Sequence, residues 1–419
     1  MTDSPVSRSS ALGAADRNNT VWVAAGLALG PAVVLGLARF AYALLLPSMR
    51  DELHWSLGTA GAMNSANALG YLAGALATAR LARRHGARRS FIVALGVTVV
   101  SLLATSATED TVVLLGLRTL AGVCGAVAFI AGAGLVVEVA AGATAHRAAM
   151  LLGIYFAGGG AGIVISGLSV PALLAAMPTS AGWRWGWVLL GALGVVALVP
   201  AWLAARASSE PPPPPHHDRR WPARHFVAML GSYALFGAGY IAYMTFIVAF
   251  LHDGGAGTGE ITAFWAVLGT ASILGAFCWV RPITRLRGGR GASIVLAVVA
   301  AGAILPLVSR AAPIAMASAV LFGGSFLAVV TSVTAVARRS LPPHHWTPAI
   351  AALTVVFAAG QCVGPVLTGV LSEGPAGLRI GLGVSAGLLV AAALTVLGQR
   401  HLEARPATIM TALDVSVTE

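Results

Sequence analysis

Two arginines stand where an apolar chain would normally carry none. Arg39 lies deep in the first long run of apolar residues, and Arg118 lies about two turns into the fourth. A guanidinium within hydrocarbon costs ~2.5–3.5 kcal/mol or more on insertion scales, so it faces a cavity or a partner. No Asp or Glu occupies the middle of any apolar run, so neither arginine has an acid at its own depth. Such a group is suited to bind a carboxylate through two parallel N–H donors. For Arg118 a second reading carries equal weight, a structural hydrogen bond to the backbone of the first run. Tyr233, Phe236, Tyr240 and Tyr243 recur at helical spacing and share one face. An aromatic stripe packs more often than it binds, but buried hydroxyls need partners, which water in a cavity supplies. Arg39, Tyr42, Arg118, Tyr240, Tyr243 and Gln361 are therefore the candidate solute contacts. For Asn64, Asn67 and Gln361 interhelical hydrogen bonding is the default reading.

The elements that must hold these groups are helices. Of the 419 residues, 57% are hydrophobic and 10% charged, and the mean hydropathy is +0.83. A soluble chain of this size carries a much larger charged share, about a quarter. Twelve apolar runs lie near 22–46, 57–79, 90–107, 112–137, 148–176, 186–204, 225–251, 260–280, 292–309, 313–336, 347–372 and 376–398. About 20 residues of helix cross the ~30 Å hydrocarbon layer, and the third and ninth runs are the shortest.

The net charge of +11 is not a nucleic-acid footprint, because its distribution follows the loops. Twenty arginines fall in the first twenty residues, in the loops after even-numbered runs and in the tail, against three (Arg50, Arg184, Arg310) in the odd loops. That bias predicts cytoplasmic termini in a multi-pass protein of the cell (inner) membrane. The polar start and long first run predict no cleaved signal. Trp183, Trp185 and Trp187 read as an interfacial belt. Cys124, Cys278 and Cys362 lie within predicted helices and read as packing residues. His216, His217, His344 and His345 read as solvated loop residues, so no metal site is expected. A chain without lysine has no Walker-type nucleotide loop, and no cofactor is expected.

The two halves of the chain resemble each other. Arg83-x-x-Gly86-x-Arg88 recurs as Arg285-x-x-Gly288-x-Arg290, and Gly122, Gly158, Gly162 and Gly167 recur as Gly324, Gly360, Gly364 and Gly369, all at an offset of 202. Gly36, Ala41 and Tyr42 recur one residue off that shift as Gly237, Ala242 and Tyr243, which pairs Arg39 with Tyr240. Five consecutive prolines, Pro211–Pro215, mark a stiff linker. The expected units are 1–205, a six-helix bundle with a short leading segment; 206–224, the linker; and 225–419, a second bundle with a tail.

With these residues in place, the chain resembles the major facilitator superfamily over nearly its whole length. Within it, the stretch Gly36-Leu-Ala-Arg39-Phe-Ala-Tyr42 leading to Leu46-Pro47-Ser-Met49 is similar to the YbfB/YjiJ-type branch. Arg118-Thr-Leu-Ala-Gly122 matches the superfamily's R-x-x-x-G pattern; Gly158-Gly-Gly-Ala-Gly162 resembles its glycine-rich run but lacks the Gly-Pro pair, which stands in the second half as Gly364-Pro365. The resemblance implies twelve transmembrane helices in two pseudo-symmetric six-helix bundles, an all-α membrane fold, with helices 1, 4, 7 and 10 lining a central cavity. It also implies an acidic latch in the loop between helices 2 and 3. Arg83 occupies that acidic position here, although Gly86 and Arg88 remain. Glu138 is then the expected partner of Arg83 or Arg147, and Arg83, Gly86, Arg88, Glu138, Arg285, Gly288 and Arg290 form the expected gating set. Gly122, Gly158, Gly162, Gly360, Gly364 and Pro365 form the expected helix-packing set.

Together these features predict a secondary transporter that moves a small organic solute, expected to be anionic, by alternating access. The alternatives are an exporter of apolar or cationic compounds and a membrane receptor or scaffold that does not transport. An enzyme would need clustered carboxylates or a metal set. The expected partners are the solute and the lipid bilayer, with a coupling proton left open, no nucleic acid, and a monomeric assembly.

Overall fold

The computed structural model describes residues 19–399 except 178, 180, 212–220, 280–281, 283–285, 287, 343–344 and 375–376. Both ends of the chain, residues 212–220 of the 206–224 linker, and Arg285, His216, His217 and His344 thus lie outside the described residues. Among those residues there are twelve long helices and no strand. The first six are α1 (Asn19–Leu53), α2 (Leu57–His85), α3 (Ala87–Thr105), α4 (Thr111–Val139), α5 (Ala145–Ala176) and α6 (Gly182–Ala207). The second six are α7 (Val227–Asp253), α8 (Thr258–Cys278), α9 (Arg290–Val308), α10 (Ala312–Ser340), α11 (Trp346–Leu371) and α12 (Leu378–Thr395). Eleven of them are long and apolar enough to cross a membrane. The twelfth, α2, is diluted by Asn64, Ser65 and Asn67, which it buries between its neighbours. The short third and ninth runs are each full helices of 19 residues.

The odd-numbered loops fall at one end of the structure and the even-numbered loops at the other, here the odd face and the even face. Within the first six helices α1 packs on α5, α2 on α4, and α3 on α4 and α6; within the second six α7 packs on α11, α8 on α10, and α9 on α10 and α12. Glycines set the closest of these approaches. A Cβ at Gly158 or Gly162 would run into the Ala28 or Ala32 carbonyl of α1, and one at Gly360 or Gly364 into the Ala234 or Ala238 carbonyl of α7. Gly122 stands the same way against the Asn67 carbonyl of α2.

These pairs correct the repeat register of the first helices. If Gly158 and Gly162 correspond to Gly360 and Gly364, then Ala28 and Ala32 correspond to Ala234 and Ala238, an offset of 206. The Gly-Ala-Tyr match at 201 is therefore displaced by more than a helical turn, and Tyr240 is not the packing counterpart of Arg39. Chain matching found the same letters on the wrong turn. Part of the difference is local winding: Ala32–Phe40 of α1 is a π-helix, closed by the Ala41 N–H donating to the Gly36 carbonyl at 3.0 Å. Among the described residues α7 is regular through the corresponding stretch. Such wide turns occur often at functional positions.

The tryptophan belt is also corrected. Trp183 and Trp187, one turn apart, are fully buried and donate to Glu52 Oε2 (2.9 Å) and Met49 Sδ (3.4 Å) of α1. Of the three, Trp185, on the opposite face of α6, is exposed. Cys124, Cys278 and Cys362 are free thiols, and Cys278 is exposed.

The two halves meet along α2–α11 and α5–α8, and the odd-face portion of α1 (Tyr42–Leu53) lies against α7. A Cβ at Gly61 would strike the Pro365 carbonyl and one at Gly369 the Leu57 carbonyl, so α2 and α11 touch backbone to backbone near the odd face. There Glu373, just past α11, accepts from the Gly58 N–H at 3.0 Å in the first turn of α2. At the odd face the two halves thus close on each other along α2–α11.

Candidate central site

Arg39 sits at the end of the π-helical stretch and is 3% exposed. Its guanidinium donates to Gln361 Oε1 on α11, a residue of the opposite half that is itself fully buried. Its carbon lies 5.3 Å from the centre of the Tyr71 ring of α2. Arg39 Nε and Gln361 Nε2 are both buried without an acceptor among the described residues. Tyr71 and Tyr240 are electrostatic neighbours of the same guanidinium. Every ion pair among the described residues lies at a loop or helix end, so no carboxylate neutralises Arg39.

Arg118 is equally buried but differently occupied. It donates to the Ala38 carbonyl of α1 (2.5 Å) and to Asn64 Oδ1 of α2 (3.2 Å), and its cation faces Tyr42 at 5.0 Å and Trp187 at 5.6 Å. Asn67 in turn donates to the Arg118 carbonyl. Its contacts knit α1, α2, α4 and α6 within one half. Asn64 Nδ2 reaches across the halves to Thr245 of α7 at 2.6 Å.

The tyrosines divide in the same way. Tyr42 donates to the Ala60 carbonyl (2.8 Å), and Tyr243 shares a hydrogen bond with Ser318 of α10 (2.6 Å). Tyr240 belongs instead to a run of near-parallel rings: Phe357 of α11 lies 4.6 Å from Tyr233 and 5.5 Å from Tyr240, and Phe326 of α10 lies 6.0 Å from Tyr240. Phe322 continues the run to Tyr243 at 4.1 Å, and Phe40 of α1 meets Phe326 edge-on at 6.0 Å. Arg39, Gln361, Tyr71 and Tyr240 thus converge beside an aromatic wall, while Arg118, Tyr42 and Tyr243 are turned into helix packing. Sequence reading passed over Tyr71, Phe326 and Phe357, because aromatic residues in apolar helices give no signal until a charge is known to sit beside them.

At the even face, Glu138 is half-buried and makes no ion pair among the described residues, while Arg147 donates to Thr20 at 2.6 Å. Arg83 and Arg290 are exposed. Gly86 and Gly288 both take positive φ (83° and 60°), a backbone position that favours glycine in each half. The carboxylate that serves the α2–α3 loop is Glu210. It accepts from the Ala87 and Arg88 N–H groups at the start of α3 and lies 3.6 Å from Arg88 Nε. Placed just before the prolines, it carried no motif that would have singled it out.

This geometry, a charged polar core between two matched groups of six helices, is that of a major facilitator transporter. Residues 31–397 match the family described as the uncharacterised MFS-type transporter YbfB, and the chain belongs to that family. No curated protein sequence matches it significantly. Among solved structures it is similar to a bacterial homolog of the human lysosomal transporter Spinster, in inward-facing unoccupied and occupied forms. These are 17% and 18% identical, with TM-scores of 0.67 and 0.69, covering 91% of this chain and 98% and 97% of theirs. It is also similar to a point mutant of the nucleoside transporter NupG, at 12% identity and a TM-score of 0.69, covering 91% of this chain and 98% of that one. The chain is a multi-pass membrane transporter and not an enzyme.

Proposed function

We propose that the protein carries a small organic anion across the cell (inner) membrane by alternating access, with Arg39 as the group that holds the solute's carboxylate. One observation carries this reading: a buried guanidinium at the junction of the halves has an uncharged partner, Gln361, and donors to spare. A carboxylate offers acceptors only, and an arginine pairs with it through two parallel bonds. In this reading residues 1–205 and 225–419 rock about the site as two bodies joined by 206–224, and the protein acts as a monomer. The arginine-rich even face and both ends of the chain are cytoplasmic. A structure whose halves close on each other at the odd face is then the inward-facing one. Glu210 and Arg88 tie the linker to α3, in place of the acidic latch that Arg83 displaces.

The test is anion binding and flux in proteoliposomes. Arg39→Ala loses affinity for the anion roughly ten- to a hundredfold, from ~1.5–3 kcal/mol per charged hydrogen bond, and leaves a neutral analogue unaffected. Arg39→Lys retains part of the affinity, since it keeps the charge and loses the two-pronged geometry. Equal losses for anion and neutral analogue refute the anchor. A second reading, export of uncharged apolar compounds, draws on the aromatic wall and requires that Arg39→Ala leave flux intact.

A further inference from the structure

The wall beside Arg39 specifies more than charge. Eight ring contacts, from Tyr233 through Phe236, Phe357, Tyr240, Phe326 and Phe322 to Tyr243, have interplanar angles between 8° and 27°. The rings come from α7, α10 and α11 and lie as near-parallel leaves. Core aromatics pack edge-to-face as readily as stacked, so a set this uniform presents flat faces in one orientation. Phe357 and Tyr71, on opposite halves, are only half-buried, whereas Tyr240 and Phe326 are buried. At the rim of this lamina lie two buried donors unmatched among the described residues, Arg39 Nε and Gln361 Nε2, with Tyr71 and Tyr240 as electrostatic neighbours of the guanidinium. Donors at one end and parallel rings alongside describe a ligand with an acceptor head and a flat body.

We infer that the transported solute is an aromatic monocarboxylate, its carboxylate on Arg39 and Gln361 and its ring laid against the Tyr240–Phe357–Phe326 leaves. This rests on the anion reading above and narrows it. Arg39 bonds across the two halves while Arg118 is tied to Ala38 and Asn64 within one, so one guanidinium is offered and it matches one negative charge. Burial alone would not select an aromatic ring, because a saturated ring of the same size is at least as apolar. Stacking on a π face would select it.

The discriminating probes are phenylacetate, cyclohexylacetate and phenylacetamide. Each is measured by thermal stabilisation of the purified full-length protein and by competition for flux in proteoliposomes. Phenylacetate is expected to bind about threefold to tenfold more tightly than cyclohexylacetate and at least tenfold more tightly than the amide. Phe357→Leu brings the phenyl-to-cyclohexyl ratio towards one while both acids still bind better than the amide. Phe326→Leu serves the same purpose if the first variant does not fold. Equal binding of the two acids, with both above the amide, overturns the aromatic proposal and leaves the anion reading standing. Equal binding of phenylacetate and phenylacetamide removes the anion reading itself. Binding of none of the three, or an equal loss for both acids in the Phe357 variant, also overturns the proposal.

Discussion

Gly61→Ala is the perturbation that most directly asks whether the halves rock. The added methyl overlaps the Pro365 carbonyl oxygen and stands 2.7 Å from its carbon, where ordinary contact begins at 3.4 Å. The obstacle is backbone, so relief requires α2 and α11 to part by about 0.7 Å or more near the odd face. Overpacking of this kind costs ~1–3 kcal/mol. The strain exists only while the odd face is closed, so it favours the opposite state by roughly five- to 150-fold. Gly162→Ala is the control. Its methyl would lie 2.9 Å from the Ala32 carbonyl carbon and the Gly36 Cα, but all of these atoms belong to one half. That strain persists in both states and lowers Tm without changing access. The assay is the labelling rate of a thiol at Val248→Cys, with Cys124, Cys278 and Cys362 replaced by alanine. Val248 is 2% exposed on α7 and borders the odd-face cleft between α1, α5, α7 and α8. Labelling should accelerate at least fivefold in Gly61→Ala and stay at the parent rate in Gly162→Ala. Equal labelling in both variants, with Tm lowered alike, would falsify the rocking argument.

Two further perturbations follow from the same geometry. Arg118→Ala removes the ties to Ala38 and Asn64 and leaves buried acceptors unmatched; we expect a loss of ~2–4 kcal/mol, read as a lower Tm, with anionic and neutral ligands weakened alike. A ligand-selective effect would transfer Arg118 to the solute site. The Gly58 N–H, and after it the Ser56 hydroxyl, hold the Glu373 carboxyl below the ordinary carboxylate range. The lowered value belongs to the closed odd face, so the stabilisation is complete above the ordinary carboxylate pKa and fades as pH falls through the lowered one. Distances between labels at the ends of α2 and α11 should therefore widen in acid, and Glu373→Gln should abolish the change. An unaltered acid response in that variant would discard the role of the Glu373–Gly58 bond.

Twelve helices and the two-bundle plan were legible because lipid forces each crossing to be a long apolar run. The π-helical segment was not, since nothing in its alanine, valine and leucine content distinguishes it from a regular turn. Arg39, Arg118 and Gln361 stood out by polarity at depth. The difference between them did not, because whether a guanidinium meets the Ala38 carbonyl or a residue of the other half is fixed by helix rotation. Register failed where glycine and alanine are so common that Gly36 could be matched to Gly237 by letters alone. Packing partners, which are three-dimensional, gave the offset instead. Trp183 and Trp187 misled because their position at a helix end matched an interfacial anchor, while their spacing by one turn placed both rings on the face toward α1.

The bond between Arg39 and Gln361 also bears on the half of the cycle in which nothing is carried. A carrier whose binding charge stands bare when unladen faces a steep barrier on the way back, and such proteins tend to wait for counter-cargo. Here the guanidinium has a neutral partner in the opposite bundle, and on the anchor role proposed above that bond lowers the cost of closing without solute. On the same proposal the carboxamide is a resident substitute for cargo. With Arg39 as the proposed anchor of the solute, this bond favours net downhill flow over obligatory one-for-one exchange, and Gln361→Ala is expected to slow net flux more than exchange.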